Sequence, residues 1–145
     1  MVYEVAYFTR TNTSKRVAEK IAPALSCPCI QITDDKNWNG IFGYIKAGFY
    51  STVHKSVAIE VHGTVEDADE IIFVAPLWAG GLAPAAIAFL ESIPREKVHL
   101  VVVSLGSHVK DRAGFKSIHD ITDQAGNEDV VIDKLVREFK AQAKK

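Results

Sequence analysis

The sequence contains few cysteines, and this scarcity limits the kinds of site it can build. Cysteine occurs only twice, at Cys27 and Cys29. Two cysteines separated by one residue of an extended segment make a poor disulfide, because the geometry of that bond is specific. They are at most half of a cysteine-type metal site, and the sequence has no second pair to complete one. We therefore expect two packing thiols, in the core or half-buried, and no metal.

Strong charge and long apolar runs are also lacking. The net charge is -1, which gives no electrostatic reason to bind nucleic acid or an anionic membrane. No apolar run approaches the roughly 18 residues that a membrane span requires, and the N-terminus has no signal-peptide pattern. With 145 residues, the chain suits one domain, residues 1–145. We expect a cytoplasmic protein with neither a membrane nor a nucleic-acid partner.

Predicted strands and helices alternate along the chain. Two continuous apolar runs, Glu70 to Ala75 and Val98 to Val103, are typical of strands buried on both faces of a parallel sheet. The other predicted strands are Val2 to Phe8, Cys29 to Ile32 and, near the sheet edge, Ser117 to Thr122, with a short extended piece at Val57 to Val61. Helices are predicted to begin near Ser14, Pro84 and Asn127. This alternation predicts an α/β fold, a three-layer sandwich around a parallel sheet.

The segment from Trp38 to Ser51 is rich in aromatic and aliphatic residues but is interrupted by three glycines. Each glycine costs a helix roughly 1 kcal/mol. We expect a short, imperfect helix that covers apolar surface, over a ligand, at a subunit contact, or simply as core lining.

Three loops are predicted to leave the carboxyl ends of neighbouring strands: Thr9 to Ser14, Pro76 to Gly81, and Ser104 to His108. In open α/β sheets, ligands bind beyond those ends, at the point where the strand order reverses. We expect the three loops to converge on one site.

The first loop has the chemistry of a phosphate site. It joins a strand to a helix through a stretch rich in hydroxyl groups, without an acidic residue, and the positive end of the helix dipole lies there. An ordinary turn capped by Ser or Thr would have the same composition. The second loop places Trp78 beside Gly80 and Gly81, where backbone can approach a planar partner closely, although the indole could instead pack on the next helix. A phosphate cradle beside an aromatic slot is what a flavin mononucleotide (FMN) requires.

Two of these loops resemble those of the flavodoxin family. Residues 9–15, Thr-Arg-Thr-Asn-Thr-Ser-Lys, resemble the family phosphate loop, in which Ser or Thr is followed by Arg-Thr-Gly-Asn-Thr-Lys. Residues 76–80, Pro-Leu-Trp-Ala-Gly, resemble the flavin-facing loop of Pro, Val or Ile, Trp, Ala or Gly, and Gly. Asn12 stands where the family usually has glycine, and asparagine tolerates the left-handed backbone conformation better than most residues.

The resemblance implies a short, single-domain flavodoxin-like protein with a five-stranded parallel sheet of order 2-1-3-4-5. It implies FMN as cofactor, no catalytic side chain, and three sets of cofactor-binding residues. The phosphate would be bound by Thr9, Arg10, Thr11, Asn12, Thr13 and Ser14. The flavin ring would be flanked by Pro76, Leu77, Trp78, Ala79 and Gly80 on one side, and by Ser104, Leu105 and Gly106 on the other.

Other classes that use this architecture are excluded by what the loops lack. A receiver domain needs an acidic pair after the first strand, a phosphatase needs a cysteine in the first loop, and neither a Walker loop nor a GxGxxG motif is present. The five histidines are scattered in sequence, which favours surface or packing roles, although His108 follows the third loop and could touch a substrate.

Three functions remain open. The first is an electron carrier that serves a redox partner protein. The second is a NAD(P)H-dependent reductase of quinones or another small-molecule acceptor. The third is a flavodoxin-fold module that has lost flavin. We favour the carrier, because no dinucleotide site is visible, and expect a monomer or a homodimer.

Overall fold

The computed structural model of the protein describes residues 2–10, 12–34, 59–63, 68–78, 81–106 and 113–143. Within these ranges the strands are β1 (Tyr3–Tyr7), β2 (Cys29–Asp34), β3 (Ile59–His62), β4 (Glu70–Trp78), β5 (Gly81–Leu82), β6 (Val98–Ser104) and β7 (Ser117–Thr122). The helices are α1 (Thr13–Leu25), α2 (Pro84–Glu91) and α3 (Glu128–Ala143), with a 3₁₀ turn at Arg95–Lys97. The segment from Trp38 to Ser51 lies outside the described residues, as does His108.

One sheet connects the strands in the order β3-β2-β1-β4-β6-β7. The five strands β2, β1, β4, β6 and β7 run parallel, which confirms the predicted order 2-1-3-4-5. Two short antiparallel strands add to the predicted five: β3 pairs with β2 at one edge, and β5 pairs with β4. At the opposite edge, β7 has the bounds that the sequence predicts.

Each face of the sheet buries its own apolar core. Along β4, Ile71, Phe73 and Ala75 face one core, and Ile72 and Val74 face the other, as expected for alternating side chains. Helix α2 covers the first core, where the rings of Phe73 and Phe89 lie 4.7 Å apart. Helices α1 and α3 cover the second. The predicted three-layer sandwich is therefore confirmed.

Strand β4 is longer than predicted, and this changes the second loop. The sequence places its end at Ala75, but the strand continues to Trp78. Pro76 still pairs with Val103 of β6, while Leu77 and Trp78 pair with β5. The predicted loop from Pro76 to Gly81 is thus a tight hairpin, and its first three residues are strand. Proline signalled a loop, but Pro76 lies within the strand near its end, and its carbonyl accepts a hydrogen bond from Ala83 N at 3.3 Å.

One of the two cysteines is less buried than expected. Both thiols are free, Cys27 is half-buried and Cys29 is exposed, so the interpretation of Cys29 as a core or half-buried residue was wrong. Burial raises the pKa of the Cys27 thiol to about 11, with Cys29 and Glu4 acting in the same direction. A thiol with this pKa stays protonated at neutral pH and is a poor nucleophile.

Ion pairs join α1 to α3 on the second face. Glu128, in the first turn of α3, accepts two bonds from the Arg16 guanidinium, at 2.6 and 3.2 Å, and one from Lys20 Nζ at 2.7 Å. Lys20 Nζ also reaches Asp129 at 3.1 Å. Hydrogen bonding to Arg16, followed by that to Lys20, lowers the pKa of the Glu128 carboxyl from 4.5 to about 2.

This cluster should make stability depend on pH in a defined acidic window. A carboxyl whose pKa is lowered by folding stabilises the native state fully above its unfolded pKa of 4.5, and that contribution is lost as the pH falls toward 2. Because Arg16 and Lys20 are partly exposed, we expect a contribution of only about 1 kcal/mol. Urea unfolding of the wild type and of Glu128→Gln should differ by this amount at about pH 6 and converge as the pH falls to about 2. An equal difference at both pH values would contradict it.

Candidate functional site

The carboxyl ends of β1, β4 and β6 lie side by side. Tyr7 pairs with Val74, and the next residue along the chain, Phe8, donates its N–H to the Val74 carbonyl at 3.1 Å. On the other side of β4, Pro76 pairs with Val103. The chain segments that follow Phe8, Pro76 and Val103 therefore begin at the same edge of the sheet.

Asn12 shapes the first of these loops. Its backbone is left-handed, with φ 68° and ψ 3°, as expected for the position where the flavodoxin family usually has glycine. It is the N-cap of α1, and its carbonyl accepts the first helical hydrogen bond, from Arg16 N at 2.9 Å. Its side chain makes no capping bond. The start of α1 is thus not closed by a side-chain cap of the ordinary kind, and it presents N–H groups without an intrahelical acceptor.

Two hydroxyl groups beside this helix start are buried without a partner. Ser14, in the first turn of α1, is only 1% exposed. Its Oγ and the Oγ1 of Thr9 are both shielded from solvent, and neither makes a hydrogen bond to the described part of the protein. Leaving a buried hydroxyl unsatisfied costs about 1–3 kcal/mol. The pair fits a ligand that brings several acceptor oxygens to the positive end of a helix, as a phosphate does.

The third loop is held by a fourth, which the sequence did not identify. Ser104 and Leu105 accept hydrogen bonds from Asp123 N and Gln124 N, at 3.1 and 2.9 Å, just beyond the end of β7. A Cβ atom on Gly106 would overlap the side-chain amide of Gln124, so glycine permits this close approach. The turn-forming residues after Thr122, which end at Gly126 with φ 59°, were the available signal. Leu105 is 72% exposed beside this contact.

The second loop brings fewer side chains to this edge than its sequence suggests. Leu77 is buried in the core beneath α2, so its side chain packs there, and Pro76 is half-buried. Trp78 has its backbone in β4, and the orientation of its indole lies outside the described structure, as do Ala79, Gly80 and Thr11. The predicted site residues that the structure brings to this edge are Thr9, Arg10, Asn12, Thr13, Ser14, Pro76, Leu77, Ser104, Leu105 and Gly106.

Comparisons with known proteins give structural relatives but no sequence relatives. No protein-family model matches the chain, and no curated protein does. A flavoprotein from Lactobacillus acidophilus NCFM, solved in complex with FMN, superposes with a TM-score of 0.62 at 13% identity, over 83% of this chain and 90% of that one. A candidate flavoprotein from Bacteroides eggerthii gives 0.61 at 22% identity, over 90% and 97%. One from Bacteroides uniformis gives 0.61 at 21%, with the same coverage.

The fold is flavodoxin-like. At these identities the likeness concerns architecture, and the strand order 2-1-3-4-5 agrees with it. In a flavodoxin-like sheet the order reverses between β1 and β4, and the loop that carries Thr9 leads from the carboxyl end of β1 to Ser14 in the first turn of α1.

The described ranges contain no group of three or more His, Cys, Asp or Glu side chains able to hold a metal ion. Among the same residues, no helix is both long enough and apolar enough to cross a membrane.

Proposed function

We propose that this chain binds FMN at the carboxyl edge of its sheet and serves as a cytoplasmic electron carrier. The observation that carries the proposal is the pair of buried, unpartnered hydroxyls, Thr9 Oγ1 and Ser14 Oγ, beside the uncapped start of α1. The FMN complex of the Lactobacillus acidophilus flavoprotein supports the choice of cofactor. Bound FMN would supply the electron transfer, and this chain would bind and orient it.

The residues divide the binding between two ends of the cofactor. Thr9 and Ser14 would donate their hydroxyl hydrogens to phosphate oxygens, and the first N–H groups of α1 would add backbone donors. Residues 76–80 and 104–106 would flank the ring. Among the latter, exposed Leu105 offers apolar contact, and the bond that its carbonyl accepts from Gln124 N at 2.9 Å helps to hold the loop.

The proposal is tested by titrating FMN with the apoprotein and following flavin fluorescence. We expect the fluorescence of FMN to be quenched at micromolar or lower concentrations of the apoprotein. Riboflavin, which has the same ring and no phosphate, should bind at least about 100-fold more weakly, because the hydroxyls are then left unpaired. Absence of quenching would leave the chain as a flavodoxin-fold module without flavin. Equal affinity for riboflavin and FMN would show that the phosphate is not bound where we place it.

A second titration separates the carrier from a reductase. The sequence carries no dinucleotide-binding motif, so we expect anaerobic NADPH alone to leave bound FMN oxidised. Slow reduction by NADPH, accelerated by an added reductase, would agree with a carrier that exchanges electrons with a partner protein. Rapid bleaching of the flavin by NADPH alone would instead identify a NAD(P)H-dependent reductase of quinones or similar small-molecule acceptors.

A further inference from the structure

A chain of hydrogen-bonded side chains lies at the opposite end of the sheet, where β4, β6 and β7 begin. His99 Nε2 lies 2.6 Å from Glu70 Oε1, and His99 Nδ1 lies 2.6 Å from Ser117 Oγ. Ser117 Oγ lies 2.9 Å from His119 Nε2. Four side chains from three adjacent strands are thus joined in one line, and the proposed FMN site does not use them.

The line runs from the interior toward the surface. Glu70 and His99 are 2% and 4% exposed, whereas Ser117 and His119 are half-buried. The edge of the His99 ring meets the face region of Phe139 on α3, with ring centres 4.5 Å apart and planes at 87°. Lys116 Nζ lies 3.4 Å from the second carboxylate oxygen of Glu70. The Glu70 end of the hydrogen-bonded chain is therefore enclosed, whereas the half-buried His119 end can exchange protons with solvent.

The direction of every hydrogen bond follows from one assignment, in which Glu70 is the acceptor for a neutral His99. His99 then donates from Nε2, and its Nδ1 has a free lone pair. That lone pair accepts the Ser117 hydroxyl hydrogen, and the Ser117 oxygen accepts Nε2–H of His119. All donors then point toward Glu70, and Nδ1 of His119 remains available to a proton from outside.

We propose that Glu70, His99, Ser117 and His119 form a proton wire that carries a single proton from His119 to His99 and disfavours the uptake of a second. A proton binds Nδ1 of His119. The Nε2–H bond of His119 then breaks as a new O–H bond forms on Ser117, and the original O–H bond of Ser117 breaks as Nδ1–H forms on His99. The product is a His99 imidazolium beside the Glu70 carboxylate, with a neutral His119 that now carries Nδ1–H.

The limit of one proton follows from the single hydroxyl between the two rings. After the transfer, Ser117 donates to Nε2 of His119. A second proton on that nitrogen would place two N–H donors on the Ser117 oxygen and leave its own hydrogen without an acceptor in the chain. It would also place two positive rings on the same hydroxyl group.

Burial disfavours the charged form of both histidines, and the neighbouring carboxylates partly offset this effect. Burial lowers the pKa of His99, while Glu70 and Glu138 raise it and Lys116 lowers it further. Burial likewise lowers the pKa of His119, where Glu138 and Asp120 oppose the effect and His99 and Lys134 add to it. Tyr3, packed on Phe139, has its pKa raised by burial and by Glu70, so it stays neutral. Proton uptake therefore begins below the ordinary histidine range, in the folded protein.

Nitrogen NMR of the histidine rings in the full chain, recorded from about pH 8 to about pH 4, tests the proposal. We expect both His99 and His119 as Nε2–H tautomers at high pH. On acidification His99 should become charged while neutral His119 changes to Nδ1–H, and a second uptake should follow at least about one pH unit lower. His62 is exposed, hydrogen-bonded to Thr33 and not a member of the chain, so its ring signals are the internal control.

Ser117→Ala removes the connecting hydroxyl, and Ser117→Thr keeps it. In the alanine variant the two histidines should titrate independently and the tautomer change of His119 should disappear; the threonine variant should restore both. Should the alanine variant fail to fold, the tautomers of the wild type decide alone. Two independent wild-type titrations, or a His119 that is Nδ1–H throughout, would overturn the proposal.

Discussion

Replacing Thr9 by valine and Ser14 by alanine together should weaken FMN binding about 100-fold and, in the same protein, stabilise the apo form. Each hydroxyl that donates to a phosphate contributes roughly 1.5 kcal/mol or more, and 1.4 kcal/mol corresponds to about tenfold in affinity. In the apoprotein the same hydroxyls are buried and make no hydrogen bond to the part of the chain that the structure describes, so their removal should raise the free energy of unfolding by about 1–2 kcal/mol. Flavin titration measures the first effect, and urea unfolding without FMN measures the second.

Weaker FMN binding together with a more stable apoprotein distinguishes this prediction from a simple loss of structure. Riboflavin affinity should hardly change in the double variant, because riboflavin has no phosphate to lose. Thr33→Val is a matched control: that hydroxyl has a partner, His62 at 2.8 Å, on an exposed surface, so its loss should change neither FMN affinity nor apo stability by much. A double variant that is less stable without FMN would show that Thr9 and Ser14 have structural partners after all.

Replacing His99 by leucine should cost about 3 kcal/mol in the free energy of unfolding at neutral pH, since it leaves the Glu70 carboxylate buried with one hydrogen bond fewer. Replacing Glu70 by leucine as well should recover more than half of this loss, because the charge that needed a partner is gone. A double-mutant cycle by urea unfolding gives the coupling between the two side chains.

Glu128→Gln is the comparison for an accessible ion pair. It should lower the free energy of unfolding by about 1 kcal/mol or less, although the distances from Glu128 to Arg16 and Lys20 are about as short as that from His99 to Glu70. If His99→Leu were as mild as Glu128→Gln, Glu70 would have to be neutral or hydrated in the folded protein. Additive effects of His99→Leu and Glu70→Leu would contradict the direct pairing.

The sequence predicts the parallel sheet well because its central strands are apolar on both faces. Runs such as Ile71 to Val74 have no other stable environment in a chain of this size. The first loop was also predictable, since hydroxyl-rich composition, strand-to-helix position and an asparagine suited to φ 68° all indicate the same turn. Those patterns do not show whether each hydroxyl has a hydrogen-bond partner. That Thr9 and Ser14 have none in the described part of the chain follows from the packing around them.

The features that escaped prediction depend on partners distant in sequence. His99 lies within an apolar strand, so the pattern of its neighbours favours a packing role, and only the adjacency of β4, β6 and β7 shows that it joins Glu70 to Ser117. The contact of Gly106 with Gln124 arises in the same way, from loops after neighbouring strands. The extension of β4 through Pro76 was missed because proline is the usual signal of a strand end.

The hairpin of β4 and β5 has a consequence for how the chain folds. Its strands are separated by two residues, whereas Tyr3 of β1 must meet Glu70 of β4 across the intervening half of the chain. Hairpins close in microseconds, and parallel pairings wait for the much slower closure of long loops. The segment that carries Trp78 can therefore take its local shape early, before β1 arrives to complete the edge where the first loop lies.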